Sequence, residues 1–424
     1  MHRNIMERKT RNPKRWRFRS DSTEIEKIAV ICGSAFFVAF GMGIKILGSV
    51  FYIREIFIAS PSQIGFFNAT WSCTYIISCL LLRLLYNRAI PTRAMMLSTF
   101  FMGAVLLGMV SIRIFALTFI FHGLFGIAEA VFWPSAMGWL SEGIEGAHLG
   151  RRMSVYNLSW STGLIVGPLV AGVLSTVSPS LPLFVGSGVL FTVSALIIGA
   201  GAFMPQLKPS ARVKTGQGDE SRASDESTRL RYPAWIGLFT TYVVIGILFS
   251  VFPVYALEEL GIGKGLIGFL LQLRALCSTM GFVALGRTEI WHFRPGQMIA
   301  GQFVQACAVL LMGFTSSPLL IALLIAVIGL SMSLSYFNSL FHAVSGSVDR
   351  AARMAIHEAV LSAGLIVGSL VGGVVYEHSS MTAVYVICAA CILAGIAAQA
   401  VSSRGCYGKG RHGGKRVLEK YGTF

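Results

Sequence analysis

The chain has 424 residues, 54% of them apolar and only 13% charged, with a formal net charge of +16. So apolar a chain cannot fold around a water-wetted surface; it needs lipid as solvent, which excludes a soluble enzyme or soluble binding module. The positive charge by itself would also fit nucleic acid, so the placement of Lys and Arg has to decide.

Crossing a bilayer takes about 20 consecutive apolar residues per helix. In chain order, six spans are expected at 29–51, 62–82, 94–112, 115–140, 154–177 and 183–203. After a polar stretch, six more are expected at 235–255, 266–285, 298–314, 319–344, 355–375 and 382–400. With the N-terminus in the cytoplasm, all but five of the 35 Lys and Arg residues fall on the cytoplasmic side. The exceptions are Arg54, Arg113 and Lys264 opposite, and Lys45 and Arg274 within spans. This positive-inside asymmetry accounts for the charge without nucleic acid and puts both termini in the cytoplasm. A multi-pass protein of the plasma or inner cell membrane, surrounded by lipid and monomeric, is the expectation.

The basic leader carries no small-residue cleavage pattern, so the first span is expected to remain. Eight cysteines are scattered, mostly inside spans, as packing residues rather than a disulfide framework. Cys388 and Cys391 form a C-x-x-C in mid-helix, where packing explains both thiols. The basic, glycine-rich tail from Arg404 to Lys420 reads as a topology anchor attracted to anionic lipid.

The stretch from Pro205 to Arg231 is polar and almost free of aromatics, a linker composition. The sequence repeats on either side of it. Gly163-Leu-Ile-Val-Gly-Pro-Leu-Val-Ala-Gly-Val-Leu174 recurs as Gly364-Leu-Ile-Val-Gly-Ser-Leu-Val-Gly-Gly-Val-Val375, identical at nine of twelve places at a separation of 201. Arg152-Met153 recurs as Arg353-Met354 at the same separation, and Ile64-Gly65-Phe66 as Ile267-Gly268-Phe269 at 203. Shared small-residue runs arise by chance in membrane helices, but a nearly shared offset does not. Duplicated six-helix halves are an architecture of secondary transport. The expected organisation is a basic N-terminal segment (1–28), a six-helix bundle (29–203), a cytoplasmic linker (204–232), a second six-helix bundle (233–401) and a basic tail (402–424).

In this arrangement the chain resembles the major facilitator superfamily. Gly163, Gly167, Pro168 and Gly172 in span five look like the family's G-x-x-x-G-P motif, associated with exporters. Glu142 followed by Arg151 and Arg152 is similar to its acidic-then-basic loop. The loop after span two departs from the family signature: Arg83-Leu-Leu-Tyr-Asn-Arg-Ala-Ile-Pro-Thr-Arg93 keeps arginines but lacks the acidic partner. The resemblance implies an all-α membrane fold of two pseudo-symmetric six-helix bundles, with spans one, four, seven and ten lining a central path.

An ionisable residue inside a span costs about 2.5 to 3.5 kcal/mol on insertion scales, so each one needs a reason. Lys45 in span one, Glu129 in span four and Arg274 in span eight are of this kind. Glu129 is the only carboxylate well within a span and the candidate for proton coupling; a structural ion pair with Lys45 or Arg274 is the alternative. Lys45 and Arg274 are also candidates for an anionic group on the solute, Arg through its planar fork. His122, Gly126, Glu129, Trp133 and Ala136 share one helical face of span four. Ser331, Ser335, Asn338, His342 and Ser345 repeat that spacing on span ten. From these stripes His122, Trp133, Asn338 and His342 are expected to bind solute, with Asn68 and Trp71 of span two and Tyr242 of span seven. Tyr75, Asn157, Trp160 and Gln272 are further polar or aromatic neighbours, and His357 and Glu358 fit either a gate or an exposed loop.

Pro168 removes a backbone donor and its neighbouring glycines remove bulk, which permits a bend and close helix contact. The sequence contains no phosphate-binding G-x-x-x-x-G-K-[ST] loop, no His-Glu-x-x-His and no metal-spaced Cys/His cluster. Neither cofactor nor metal is expected, and energy would come from an ion gradient. The sequence thus points to a secondary transporter of a small solute, working by alternating access and coupled to protons, with export favoured. An importer of an anionic or zwitterionic metabolite and a non-transporting receptor or scaffold are the other readings.

Overall fold

The computed structural model describes residues 22–82, 90–140, 146–203, 228–345 and 350–407. Outside the described residues lie the leader, Glu142, most of the Arg83–Arg93 pattern, most of the linker and the glycine-rich tail. The helices are α1 (Ser22–Phe57), α2 (Pro61–Leu81), α3 (Pro91–Ile112), α4 (Phe115–Leu140), α5 (Gly146–Val177) and α6 (Leu181–Phe203). Then follow α7 (Arg231–Ser250) with a short continuation (Phe252–Glu258), α8 (Lys264–Gly286), α9 (Pro295–Met312), α10 (Pro318–Val344), α11 (Arg350–His378) and α12 (Met381–Tyr407). All twelve numbered helices are long and apolar enough to cross a membrane, and the described residues include no strand.

Helix ends follow local chemistry. Ser60 caps α2: its hydroxyl accepts from the Gln63 N–H at 3.3 Å, and the Gln63 side chain accepts from the Ser60 N–H at 2.9 Å. Such a reciprocal cap with Pro61 behind it is worth about 1 kcal/mol. Pro91, Pro295 and Pro318 open α3, α9 and α10 in the same first position. Several expected boundaries shift, among them the start of α5 (Gly146, expected at 154), the end of α12 (Tyr407, expected at 400) and those of the first and seventh spans. The first span, expected at 29–51, is a helix from Ser22 to Phe57 because its charged first turn continues the helical run. The seventh, expected at 235–255, breaks at Val251, where Pro253 cannot donate a backbone bond, and resumes over Phe252–Glu258.

Packing repeats with the sequence. α1 lies along α5 and α6, as α7 lies along α11 and α12; α3 lies along α4 and α6, as α9 lies along α10 and α12; α2 meets α4, as α8 meets α10. Two long contacts join the bundles, α2 with α11 and α5 with α8, and they too exchange under the repeat. Burial is greatest in α7 and α1, where 78% and 72% of the apolar window is enclosed against 33% in α5 and α11, so the first helix of each bundle sits at the centre.

The repeated glycines explain how the bundles meet. A methyl on Gly167 would stand 2.6 Å from the Gly43 Cα of α1, and one on Gly364 2.6 Å from the Phe239 carbonyl of α7. The last glycine of each copy crosses to the other bundle. A methyl on Gly172 would lie 2.5 Å from the Lys264 carbonyl, and one on Gly373 2.6 Å from the Pro61 carbonyl. Only a missing side chain permits backbones this close.

Candidate transport site

The start of α1 and the end of α12 lie at one end of the helix bundle, and the bundles are tied at the opposite end. Arg54 at the end of α1 grips Glu258 with two bonds, Nε–Oε1 at 2.6 Å and Nη2–Oε2 at 2.7 Å. Lys264 at the start of α8 reaches Glu55 at 2.6 Å and donates to the Ser175 carbonyl at 3.0 Å. The Glu377 carboxylate accepts from the Ser60 hydroxyl at 2.6 Å and the Ser62 N–H at 2.8 Å. All three contacts join the first bundle to the second, and the Gly172–Gly268 and Gly65–Gly373 crossings lie on the same side. That face is shut. Towards the termini, Asn157 and Leu158 of α5, Leu80 and Leu81 of α2, and Ile356 and Glu358 of α11 are exposed.

The first bundle brings together Lys45, Trp71, His122, Glu129 and Trp133. Glu129 is 3% exposed and accepts from the Trp71 indole at 2.8 Å and the Trp133 indole at 3.3 Å. The Lys45 ammonium sits over the Trp71 ring, 4.2 Å from its centroid, and 4.7 Å from that of Phe125, within electrostatic reach of Glu129. Trp71 thus offers its face to the cation and its N–H to the anion, holding opposite charges around one ring. His122 stacks on Phe67 at 3.7 Å and has no hydrogen-bond partner on either ring nitrogen. Trp133 also meets Trp160 edge to face at 6.3 Å. Gly126 lets α4 approach α2, since a methyl there would stand 2.7 Å from the Trp71 carbonyl.

In the second bundle Arg274 stands apart from that cluster. Its Nη1 donates to the Met332 sulfur at 3.0 Å, and its guanidinium lies 5.1 Å from the Phe249 ring centroid. It has no carboxylate partner among the described residues, and its buried Nε has no acceptor. Tyr242, 7% exposed, is within its electrostatic reach.

The α10 stripe turns elsewhere than the sequence reading had it. Ser335 accepts from Gln302 of α9 at 2.7 Å, and His342 packs on Phe293 at 5.4 Å, so this face looks into the second bundle. Asn338 is 2% exposed and donates to the Leu334 carbonyl of its own helix at 2.9 Å. The spacing identified one face correctly as polar but could not say which neighbour it met. A different side of α10 carries Met332, which meets Arg274 of α8, and Tyr336, which meets His357 of α11. Asn68 is also buried, bonded to the Ile64 carbonyl of its own helix at 3.3 Å and without a polar link to Glu129.

A polar lattice in α7 and α9 was not foreseen. Gln302 donates to the Gly237 carbonyl at 3.0 Å and to Thr241 at 2.8 Å, and accepts from Thr240 at 2.8 Å; Gln305 accepts from Thr241 at 2.9 Å. Two glutamines three residues apart in an apolar span were its legible signal. Among the described residues no group of His, Cys, Asp and Glu could hold a metal ion.

Paired six-helix bundles around sparse buried charges, tied by ions at one face, define a multi-pass membrane protein of transporter architecture. The sequence profile of the Major Facilitator Superfamily matches residues 31–289 and 234–402, and the chain belongs to that family. It is 26% identical over 203 residues to the uncharacterized MFS-type transporter YfkF of Bacillus subtilis (strain 168), a match covering 46% of this chain. The chain spans about half, 49%, of that relative's length. Solved structures share the fold at 11% identity. A bacterial homologue of the human lysosomal transporter Spinster, in an inward-facing and occupied conformation, superimposes at a TM-score of 0.74 over 89% of this chain and 96% of its own. The nucleoside transporter NupG does so at 0.70 over 90% and 98%.

Proposed function

We propose that the protein is a proton-coupled secondary transporter of a small solute, in which the bundles at 29–203 and 233–401 rock about a central site. The observation that carries this reading is the carboxylate of Glu129, nearly sealed from solvent yet held by two indole donors beside Lys45. Ionised, Glu129 accepts both indole bonds and offsets the ammonium across Trp71. Protonated, it offsets no charge, and Lys45 is left over a ring with no counter-ion. Gaining or losing one proton therefore changes the electrostatic balance of α1, α2 and α4, the change a gradient needs to bias two conformations.

Lys45, Trp71, His122, Trp133, Tyr242 and Arg274 are the proposed solute-binding set; Asn68, Asn338 and His342, expected from the sequence to join it, are buried and bonded or packed within their own bundles and stay outside it. Gly163, Gly167, Pro168 and Gly172 form the sliding contact. With the termini in the cytoplasm of a cell-membrane protein, the tied face is the outer one and the chain is open inward. Export is favoured on the Pro168 motif, and the unpaired Arg274 favours an anionic or zwitterionic solute in either direction. The test is flux into proteoliposomes driven by an imposed pH gradient across a solute panel. Gradient-dependent flux that is lost in Glu129→Gln supports the reading; no flux of any solute favours a receptor or scaffold.

A further inference from the structure

The internal repeat shows why Arg274 lacks a partner. Trp71 of α2 and Arg274 of α8 stand 203 residues apart, the separation at which Ile64-Gly65-Phe66 recurs, and Glu129 of α4 and Met332 of α10 stand apart by the same 203. The packing follows this register. A methyl on Gly126 of α4 would stand 2.7 Å from the Trp71 carbonyl and 2.6 Å from the Thr74 hydroxyl. One on Gly329 of α10, again 203 further on, would stand 2.5 Å from the Arg274 carbonyl and 3.1 Å from the Cys277 Cβ. The side-chain bonds correspond as well: the Trp71 indole donates to Glu129 at 2.8 Å, and Nη1 of Arg274 donates to the Met332 sulfur at 3.0 Å. α1 and α7 keep the register too, since Gly163 meets the Phe36 carbonyl and Gly364 the Phe239 carbonyl, which makes Leu248 the counterpart of Lys45.

Lys45, Trp71 and Glu129 thus correspond to Leu248, Arg274 and Met332. The first bundle holds a cation, a ring and a carboxylate, and the two charges balance around the ring. At the same three places the second holds an apolar side chain, a cation and a thioether, which leaves one positive charge without a counter-charge. A thioether is a weak and neutral acceptor, so Met332 cannot do for Arg274 what a carboxylate would. The guanidinium is 8% exposed and its Nε has no acceptor, a costly arrangement unless an anion from outside the chain completes it. Nε and Nη2 are the edge of a guanidinium that grips a planar carboxylate, as they do where Arg54 binds Glu258 at 2.6 and 2.7 Å. On Arg274 the Met332 contact uses Nη1 and leaves that edge without a partner among the described residues. The Phe249 ring, 5.1 Å away, sets apolar surface beside the charge.

We propose that Arg274 binds the carboxylate of an amphipathic monocarboxylate, which supplies in the second bundle the counter-charge that Glu129 supplies in the first, with the solute's apolar or aromatic body against Phe249 and Tyr242. Arg274 brings a single charge and Lys45 is engaged with Glu129, so a monoanion is matched and a dianion is not. The proposal rests on the transport reading for what the site is for, but its test is equilibrium binding to the purified full-length chain. The probes are 3-phenylpropionate and hexanoate, each with its amide, its amine analogue and its phosphonate. At least one carboxylate should bind about tenfold or more tighter than its three analogues. Arg274→Met should weaken it roughly thirtyfold or more, and Arg274→Lys, which keeps the charge without the fork, should fall between. Met332→Glu places a carboxylate where the first bundle has Glu129; it should occupy Arg274 and weaken the probe by about tenfold or more, whereas the uncharged Met332→Gln should weaken it far less. The melting transition of each unliganded variant shows whether it is folded, and the Arg274 variants decide the question if Met332→Glu is not. A panel in which no carboxylate outbinds its amide, a preference that survives Arg274→Met in folded protein, or equal binding by folded Met332→Glu and Met332→Gln overturns the proposal. A chain that binds carboxylates through Arg274 but moves none across vesicles overturns only the transport reading; one that moves uncharged or cationic solutes equally well as Arg274→Met overturns only the subsite.

Discussion

Replacing Arg274 with methionine should make the unliganded protein more stable while removing its response to solute. The guanidinium is 8% exposed, its Nε is unsatisfied, and its contacts are a thioether and a phenyl ring. Holding an arginine at the middle of a span costs about 2.5 to 3.5 kcal/mol. The cation–π contact with Phe249 returns about 1 to 2 kcal/mol of this, and the sulfur contact little. Methionine keeps the unbranched stem, and its sulfur can pack beside Met332, so about 1 to 2 kcal/mol of net stabilisation is expected. That is a rise of a few degrees in apparent melting temperature, roughly 2 to 4 °C per kcal/mol in mid-sized domains. Thermal unfolding of detergent-purified wild type, Arg274→Met and Arg274→Lys measures it, with flux assayed in parallel. A methionine variant that melts at or below the wild type would mean that the guanidinium makes structural bonds, and the case for a ligand-completed charge would fail.

Glu129→Gln should abolish pH-driven flux while the protein still folds, because glutamine can still accept from Trp71 and Trp133; flux at the wild-type level would exclude Glu129 as the proton carrier. Gly268→Val should hold the tied face apart, since even a methyl there would lie 2.5 Å from the Pro168 carbonyl; faster cysteine labelling at that face is the expected readout, and unchanged labelling counts against this contact as the seal. Neutralising Arg54 or Glu258 should open the same face, with about 1 kcal/mol of coupling in a double-mutant cycle, the upper end for a partly exposed bidentate pair; the populations come from distances between spin labels. Gln302→Leu should destabilise the second bundle by about 2 to 2.5 kcal/mol, from four lost bonds at roughly 0.6 each; a melting temperature equal to wild type would show that the lattice carries no net stability.

The architecture was legible because lipid leaves few alternatives: apolar runs of the right length can only be helices, and the repeated glycine motif announced that the bundles match. Within the first bundle, helical spacing brought His122, Glu129 and Trp133 onto one face; His122 and Glu129 meet Phe67 and Trp71 of α2, and Trp133 joins them through Glu129 while packing on α5. Spacing alone failed at Asn338 and His342, because periodicity defines a face and not the neighbour that covers it. The ties of Arg54, Glu55, Lys264 and Glu377 were equally hidden. They join residues more than two hundred apart in the chain, and the lone basic residues opposite the termini gave no sign of their acidic partners. His357 and Glu358 sit so near a helix end that sequence left them as gate or loop; the fold buries His357 against Ser339 and Tyr336 and leaves Glu358 exposed.

The two buried cations are treated differently, and that difference assigns work to each bundle. Lys45 already has a counter-charge in Glu129, so on the proposed reading the first bundle would stay balanced until Glu129 gains a proton. Arg274 has no carboxylate partner among the described residues, so on the same reading the second bundle would await an anionic group of the solute. On the transport reading, each event would move its bundle towards or away from neutrality by one charge. The ties at the far face need only modest strength, because their task is to hold one conformation until a charge at the centre changes. Ion pairs there of very high stability would lock the bundles against both signals. Partly exposed side chains such as Arg54 and Glu258, 24% and 38% accessible, make such a tie weak enough that, on the proposed reading, a single protonation or binding step would suffice to release it.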